Sequence, residues 1–197
     1  ERIETGAGFA GVKGTVYKAS DGQIVDNGLR PSVKAGAEGL DHLPWPLRAL
    51  WAEKSVYRVN PVGWLNITSK WTDGAPRPDT PFSASLIMSR GCPYAAKACD
   101  FCYAAYNGTQ YRLRSPAEVV DEMQWLVDRY DIKYLHFLDD LALTDYRWVL
   151  RFADEIIARK LDVLWGCTAR TNIVADDIAR AKREGRQNFL ERCFDAG

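Results

Sequence analysis

The sequence predicts an α/β fold with a parallel sheet, and three observations carry that prediction. After Pro81, short apolar runs alternate with helical periods in three successive strand and helix units. The middle run, Ile132 to Leu138, is almost continuously apolar, as a strand covered by helices on both faces would be. Between the first two runs, Ser115-Pro116-Ala117-Glu118 marks a helix start three times over: Ser as cap, Pro at the first helical position, and Glu three residues after the cap. From the residues alone the sheet could belong to a barrel or to a doubly wound fold.

Each element is justified in order along the chain. Gly11 to Asn27 reads as strand, Asp21-Gly22 turn and second strand, which predicts a small hairpin. Gly28 to Thr80 is rich in Pro, Gly and Trp, with Leu43-Pro44-Trp45-Pro46 and Asp73-Gly74-Ala75-Pro76 breaking any long period, so it reads as a connector. Phe82 to Ser89 is the first strand of the alternating region. Val120, Met123, Val127 and Tyr130 then recur at helical spacing, and their plain reading is core packing. A second helix is expected from about Asp145 to Arg159, with Trp148, Phe152 and Ile156 on one face. A third strand follows at Leu161 to Cys167, and a third helix at Asp176 to Phe194, weakened at its centre by Gly185. The domain division this predicts is a hairpin and linker region over 1–79 and a strand and helix core over 80–197.

Composition narrows the function classes. At 197 residues, with 47% hydrophobic and 26% charged residues, the chain has the makeup of a packed globular protein. Lys and Arg number 26, as do Asp and Glu, so no global field recruits nucleic acid or an anionic membrane. No apolar stretch reaches the length of a membrane span, no signal peptide opens the sequence, and the expected compartment is the cytoplasm. The chain begins on Glu1 and ends on Ala196-Gly197, a pattern that reads as part of a longer protein.

In parallel α/β folds, ligands sit at the C-terminal ends of the strands. That rule selects the loop after Ser89, the Asp139-Asp140 pair, and the segment from Thr168 to Asn172. The first of these holds Cys92, Cys99 and Cys102, three of five cysteines within eleven residues, a pattern that favours metal ligation over disulfides. Three thiolates can hold three irons of a 4Fe-4S cluster and leave the fourth open to chemistry. A structural zinc site would need a fourth ligand. His42 lies in the connector and His136 inside a strand, while Cys167 and Cys193 sit where a buried, inert thiol is the default.

The loop Ser89-Arg90-Gly91-Cys92-Pro93-Tyr94 followed by Cys99-Asp100-Phe101-Cys102 resembles that of radical S-adenosylmethionine (radical SAM) enzymes, most of all those with a cobalamin-binding domain ahead of the radical domain. The resemblance extends to Arg114 to Glu118, to Phe137-Leu138-Asp139-Asp140, to Arg170, and more weakly to Leu40 to Pro46. It implies a partial radical SAM (β/α) barrel, truncated to its N-terminal half, preceded by the hairpin and an irregular linker. Cys92, Cys99 and Cys102 would then ligate a 4Fe-4S cluster. S-adenosylmethionine would bind the open iron and be cleaved reductively to a 5′-deoxyadenosyl radical that abstracts hydrogen from a small-molecule substrate. Phe101 would lie against the adenine, Asp139 or Asp140 would accept from the ammonium group, and Arg170 would pair with the methionyl carboxylate. An electron donor such as flavodoxin or ferredoxin is implied, and a methyltransferase or cyclase outcome is compatible.

The sequence departs from the family pattern in two places. Six residues separate Cys92 from Cys99, where the family usually has three, and the cobalamin signature Asp-x-His-x-x-Gly is absent, so the use of cobalamin by the parent protein stays open. Two alternatives stand beside the enzyme reading: a structural metal module that binds a partner, and a degenerate family member that holds a cluster without turnover. Redox sensing by the cysteines is a weaker fourth idea.

Overall fold

The computed structural model describes residues 8–31, 39–48, 82–94, 99–102 and 111–197. The chain forms two compact units, Glu1–Lys34 and Ala35–Gly197. In the first, β1 (Val16–Lys18) and β2 (Ile24–Asp26) pair antiparallel, with Tyr17 opposite Val25, so the hairpin forms around the expected Asp-Gly turn. Gly22 at the turn has φ of 88°, a left-handed conformation that favours glycine.

The second unit is mixed α/β. Its strands are β3 (Phe82–Leu86), β4 (Ser89–Arg90), β5 (Arg112–Leu113), β6 (Ile132–Phe137) and β7 (Leu164–Gly166). Its helices are α1 (Pro116–Tyr130), α2 (Tyr146–Arg159), α3 (Thr171–Glu184) and α4 (Phe189–Asp195). β3, β6 and β7 form a three-stranded sheet in that order with both pairings parallel, while β4 and β5 make a separate antiparallel pair. No closed barrel forms among the described residues.

Local sequence explains where the helices begin. Ser115 caps α1, its hydroxyl accepting from the Glu118 N–H, with Pro116 in the first turn. Asp145 caps α2 by accepting from the N–H groups of Arg147 and Trp148 at 2.9 and 3.3 Å. Both caps satisfy backbone donors that the first turn leaves orphaned. The apolar stripes then meet on one face of the sheet. Val119, Val120, Met123 and Leu126 of α1 and Trp148, Val149, Phe152 and Ile156 of α2 are buried with Leu135 and Phe137 of β6. Phe137 packs edge-on against both Phe152 and Trp165, and Trp148 stacks on Phe152. Each large side chain fully withdrawn from water here contributes about 1.5–3 kcal/mol.

The third helix departs from its expected span. Instead of one helix from Asp176 to Phe194 there are two: α3 begins earlier, at Thr171, and ends at Gly185, whose φ of 64° places it in the left-handed C-cap conformation. Its N–H returns to the Ala181 carbonyl, and Asn188 with Glu191 then starts α4 as a capping box. A glycine near the middle of a weakly amphipathic run ends a helix more readily than it interrupts one. β7 is also shorter than the expected strand, because Leu161 and Val163 turn into the core before the ladder begins.

Among the described strands β3 lies at the edge of the sheet, and side chains cover that edge. The Ser85 carbonyl accepts from Arg48 Nη2 at 2.8 Å and the Ile87 carbonyl from Arg114 Nη1 at 2.8 Å. Glu122, 1% exposed, pairs with Arg48 at 3.0 Å and with Arg114 at 2.7 Å. Trp45 Nε1 donates to Glu118, which also pairs with Arg114, and the Asp41 carboxylate accepts the Ser115 N–H at 2.7 Å. The segment at 40–48 is thereby fixed to α1 and β3. Edge strands are commonly covered or charged in this way, which blocks further pairing.

Candidate functional site at the carboxyl ends of the strands

The C-terminal ends of β3 and β6 are tied together by one carboxylate. Leu138 N–H donates to the Leu86 carbonyl at 2.9 Å, which aligns the two strand ends, and the next residue is Asp139. Its carboxylate accepts the Met88 N–H at 3.0 and 3.1 Å, the Ser89 N–H, and the Ser89 hydroxyl. Ser89 is buried, so these donors have little access to water and Asp139 is their partner.

The network continues outward through two residues that the sequence reading did not single out. Thr144 Oγ1 donates to the Tyr111 hydroxyl at 2.6 Å, and Tyr111 is in turn hydrogen-bonded to Ser89. Each hydroxyl has one hydrogen to give. Thr144 gives its own to Tyr111, and Ser89 gives its own to Asp139. Burial pushes the Tyr111 phenol above its usual range, and Asp139 and Asp145 push the same way against the two hydrogen bonds. Leu143, buried and with φ of 57°, holds the turn that presents Thr144. The left-handed region costs a non-glycine residue about 1–2 kcal/mol. The sequence signal that could have found Tyr111 is its place directly before β5, the strand that pairs with Ser89-Arg90.

Cys92 follows directly from this corner. Gly91, φ 84°, makes the left-handed turn between β4 and Cys92, a conformation a side chain would strain. Cys92, Cys99 and Cys102 are free thiols, each partly exposed. The Cys102 N–H donates to the Cys99 carbonyl at 2.9 Å, so these two cysteines share one tight turn. Among the described residues no three His, Cys, Asp or Glu side chains stand close enough to share a metal ion. The donors nevertheless fit an iron-sulfur group in kind, being three free thiols of one loop. The other two cysteines do not. Burial pushes the Cys167 thiol up to about 12, with Asp139 adding to it, and burial likewise pushes Cys193 up to about 12. Both are neutral thiols at any physiological pH, and only a thiolate ligates well.

The remaining candidates are distributed around the loop. The Arg170 guanidinium lies 4.6 Å from the ring centroid of Tyr94, two residues past Cys92, so the β7 to α3 junction and the cysteine loop are in contact. Phe101 is 91% exposed. Asp140 is exposed beside the committed Asp139. His136 is half-buried on β6, its Nδ1 3.4 Å from the Tyr134 hydroxyl, and the two rings stack. Gly166 on β7 faces this pair, where a Cβ would come within 2.6 Å of the Tyr134 hydroxyl. A cavity of about 470 Å³ opens beside β3, lined by Leu43, Trp45, Arg90 and Leu138 among others, within the range of small-molecule sites. No helix among the described residues is long and apolar enough to cross a membrane.

No family model matches the chain, and no solved structure matches it. Curated proteins do. The chain is 29% identical over 167 residues to an anaerobic magnesium-protoporphyrin IX monomethyl ester cyclase of Rubrivivax gelatinosus, covering 84% of this chain and 25% of that protein. It is 25% identical over 186 residues to an uncharacterised methyltransferase of Pyrococcus horikoshii, covering 94% of this chain and 34% of that protein. A cyclase of the same name from Cereibacter sphaeroides is 34% identical over 92 residues, 46% of this chain and 14% of the relative. The chain thus spans about a quarter to a third of the first two relatives, and all three carry the names of enzymes.

Proposed function

We propose that the chain is part of a radical SAM enzyme, with Cys92, Cys99 and Cys102 as the ligands of a 4Fe-4S cluster. The observation that carries this reading is the placement of three free cysteines on the loop that leaves the carboxyl end of an edge strand in a parallel sheet. That is where ligands bind in folds of this kind. The relatives named as a cyclase and a methyltransferase support an enzyme, and their similarity extends over most of the chain.

When bound, such a cluster with S-adenosylmethionine supplies a reducing electron and, from it, a carbon radical that protein side chains cannot generate. The work left to the chain is to bind and orient. Arg170 offers a planar fork for the methionyl carboxylate, already set beside the loop by its contact with Tyr94. Asp140 offers an exposed carboxylate for the ammonium group, and Phe101 an exposed ring for the adenine. The substrate would be a small molecule, and the reducing partner an electron carrier such as flavodoxin or ferredoxin. A methyl transfer or a ring closure is the outcome in view, and cobalamin in the parent protein belongs to the same proposal. The fold would then be the first half of a (β/α) barrel. The parent protein would act in the cytoplasm.

Anaerobic reconstitution with iron and sulfide tests the reading. Electron paramagnetic resonance of the reduced chain is expected to show a 4Fe-4S signal that shifts when S-adenosylmethionine is added and that Cys99→Ala abolishes. A zinc-loaded protein with no such signal would overturn it in favour of a structural metal module. A cluster whose signal ignores S-adenosylmethionine would point to a degenerate relative.

A further inference from the structure

We infer that Asp139 is a positioning residue: with Ser89, Tyr111 and Thr144 it forms a clasp that fixes the corner from which Cys92 departs, and it does not serve as a ligand for a bound cation. The argument begins with the capacity of the carboxylate. Two backbone N–H groups and one hydroxyl from the β3 to β4 corner converge on it, with Met88 N–H shared between both oxygens. The donors are 50 and 51 residues away in sequence, at the corner where β3 gives way to β4. A carboxylate that accepts several such charge-assisted bonds is held in one geometry, and turning to a ligand would orphan the donors.

The second observation is the chain of hydroxyls. Thr144 donates to Tyr111, Ser89 donates to Asp139, and Tyr111 and Ser89 are themselves hydrogen-bonded, so the three hydroxyls and the carboxylate form one connected network. The two ends of this chain fall on separate parts of the fold, since Thr144 precedes α2 and Ser89 belongs to β4. Ser89 also pairs with Leu113, and Arg90 with Arg112. The residues on either side of the three cysteines are therefore held to each other and to the end of β6. Asp140, exposed next door, carries no such load.

The inference rests on the cluster reading only in its iron arm, and a second readout is independent of it. Hydrogen exchange at the Met88 and Ser89 amides is measured in the metal-free full chain, and iron content is measured after reconstitution. Asp139→Ala is expected to speed exchange at both amides by about tenfold or more beyond the global change and to cut iron uptake by at least half. Asp139→Asn keeps a carbonyl oxygen that can accept from Ser89, and it is expected to restore most of both. Tyr111→Phe, which leaves the carboxylate and its backbone donors intact, covers the case in which Asp139→Ala does not fold. It should give a smaller change at Ser89 and none in the core amides of α2. If Asp139→Asn loses iron or the S-adenosylmethionine shift as fully as Asp139→Ala while exchange at Met88 and Ser89 stays at the wild-type rate, the charge faces a ligand and the inference fails. If wild type takes up no iron, the cluster reading fails, and the exchange rates alone decide for or against the clasp.

Discussion

β3 is held by two polar clusters of opposite character. Along its edge, Arg48, Arg114 and Glu122 are nearly sealed from water and pair charge with charge. At its carboxyl end, one partly exposed carboxylate gathers backbone N–H groups and a short chain of hydroxyls. The edge cluster closes a boundary of the sheet and lines the cavity of about 470 Å³ beside β3. The end cluster sets the direction of a loop, and around it stand groups with capacity to spare: the three thiols, Asp140 and Arg170. Buried ion pairs are costly to break and contribute little when whole. A polar cluster at the strand end can instead be modified in steps without loss of the core.

That contrast can be broken or sharpened by measurement. The largest effect is expected from Glu122→Ala, which leaves two buried guanidinium groups without their shared partner and should cost about 3–5 kcal/mol in urea unfolding. If the loss is under about 1 kcal/mol, the edge cluster is hydrated in solution and the comparison collapses.

Next in size is a response to alkaline pH from the buried thiols and phenols. An unfolded cysteine releases its proton near pH 8.5, whereas folded Cys167 holds it to about 12. Above that lower value the unfolded chain binds fewer protons, and stability falls as pH rises, by up to about 1.4 kcal/mol per unit. Burial also raises Tyr134 and Tyr111, which add to the fall in the same direction above about pH 10. Urea unfolding between pH 8 and 11 is therefore expected to show a fall that Cys167→Ala makes shallower. An unchanged slope in that variant would remove Cys167 from the account.

The smallest effect belongs to the rim of the edge cluster. Trp45→Phe removes one hydrogen bond to Glu118 and keeps the ring contact with Trp125, so a loss of about 0.5–1.5 kcal/mol is expected. Iron uptake should be unchanged. A drop in iron uptake would mean that the two clusters communicate through β3.

Some of this was legible in the residues and some was not, for reasons that differ by position. Ser115, Pro116 and Glu118 announce α1 because a cap bonds within three residues of itself. Glu118 nevertheless turns its carboxylate to Arg114 and Trp45, and no local rule foretells the second of these partners. Gly185 was visible as a weak point in an expected single helix, and the structure uses it as a stop because the next segment packs as α4 against α2. Asp139 and Asp140 look equivalent in sequence. They differ because the alternation of β6 ends between them, turning one toward the β3 corner and the other outward.

The sequence by itself determined the alternation of strands and helices, the starts of α1 and α2, the hairpin, and the cysteine loop with its excess of thiols. These are recorded in spacing and in neighbours a few residues apart, where backbone geometry leaves few choices. Only the tertiary structure decided that Glu122 would join Arg48 across 74 residues of chain. It also decided that Tyr111 and Thr144 would meet over Ser89, and that Asp139 would be consumed by the backbone beside it. A charged or hydroxyl side chain accepts many partners, and which one it takes is fixed by the packing that removes water from the rest.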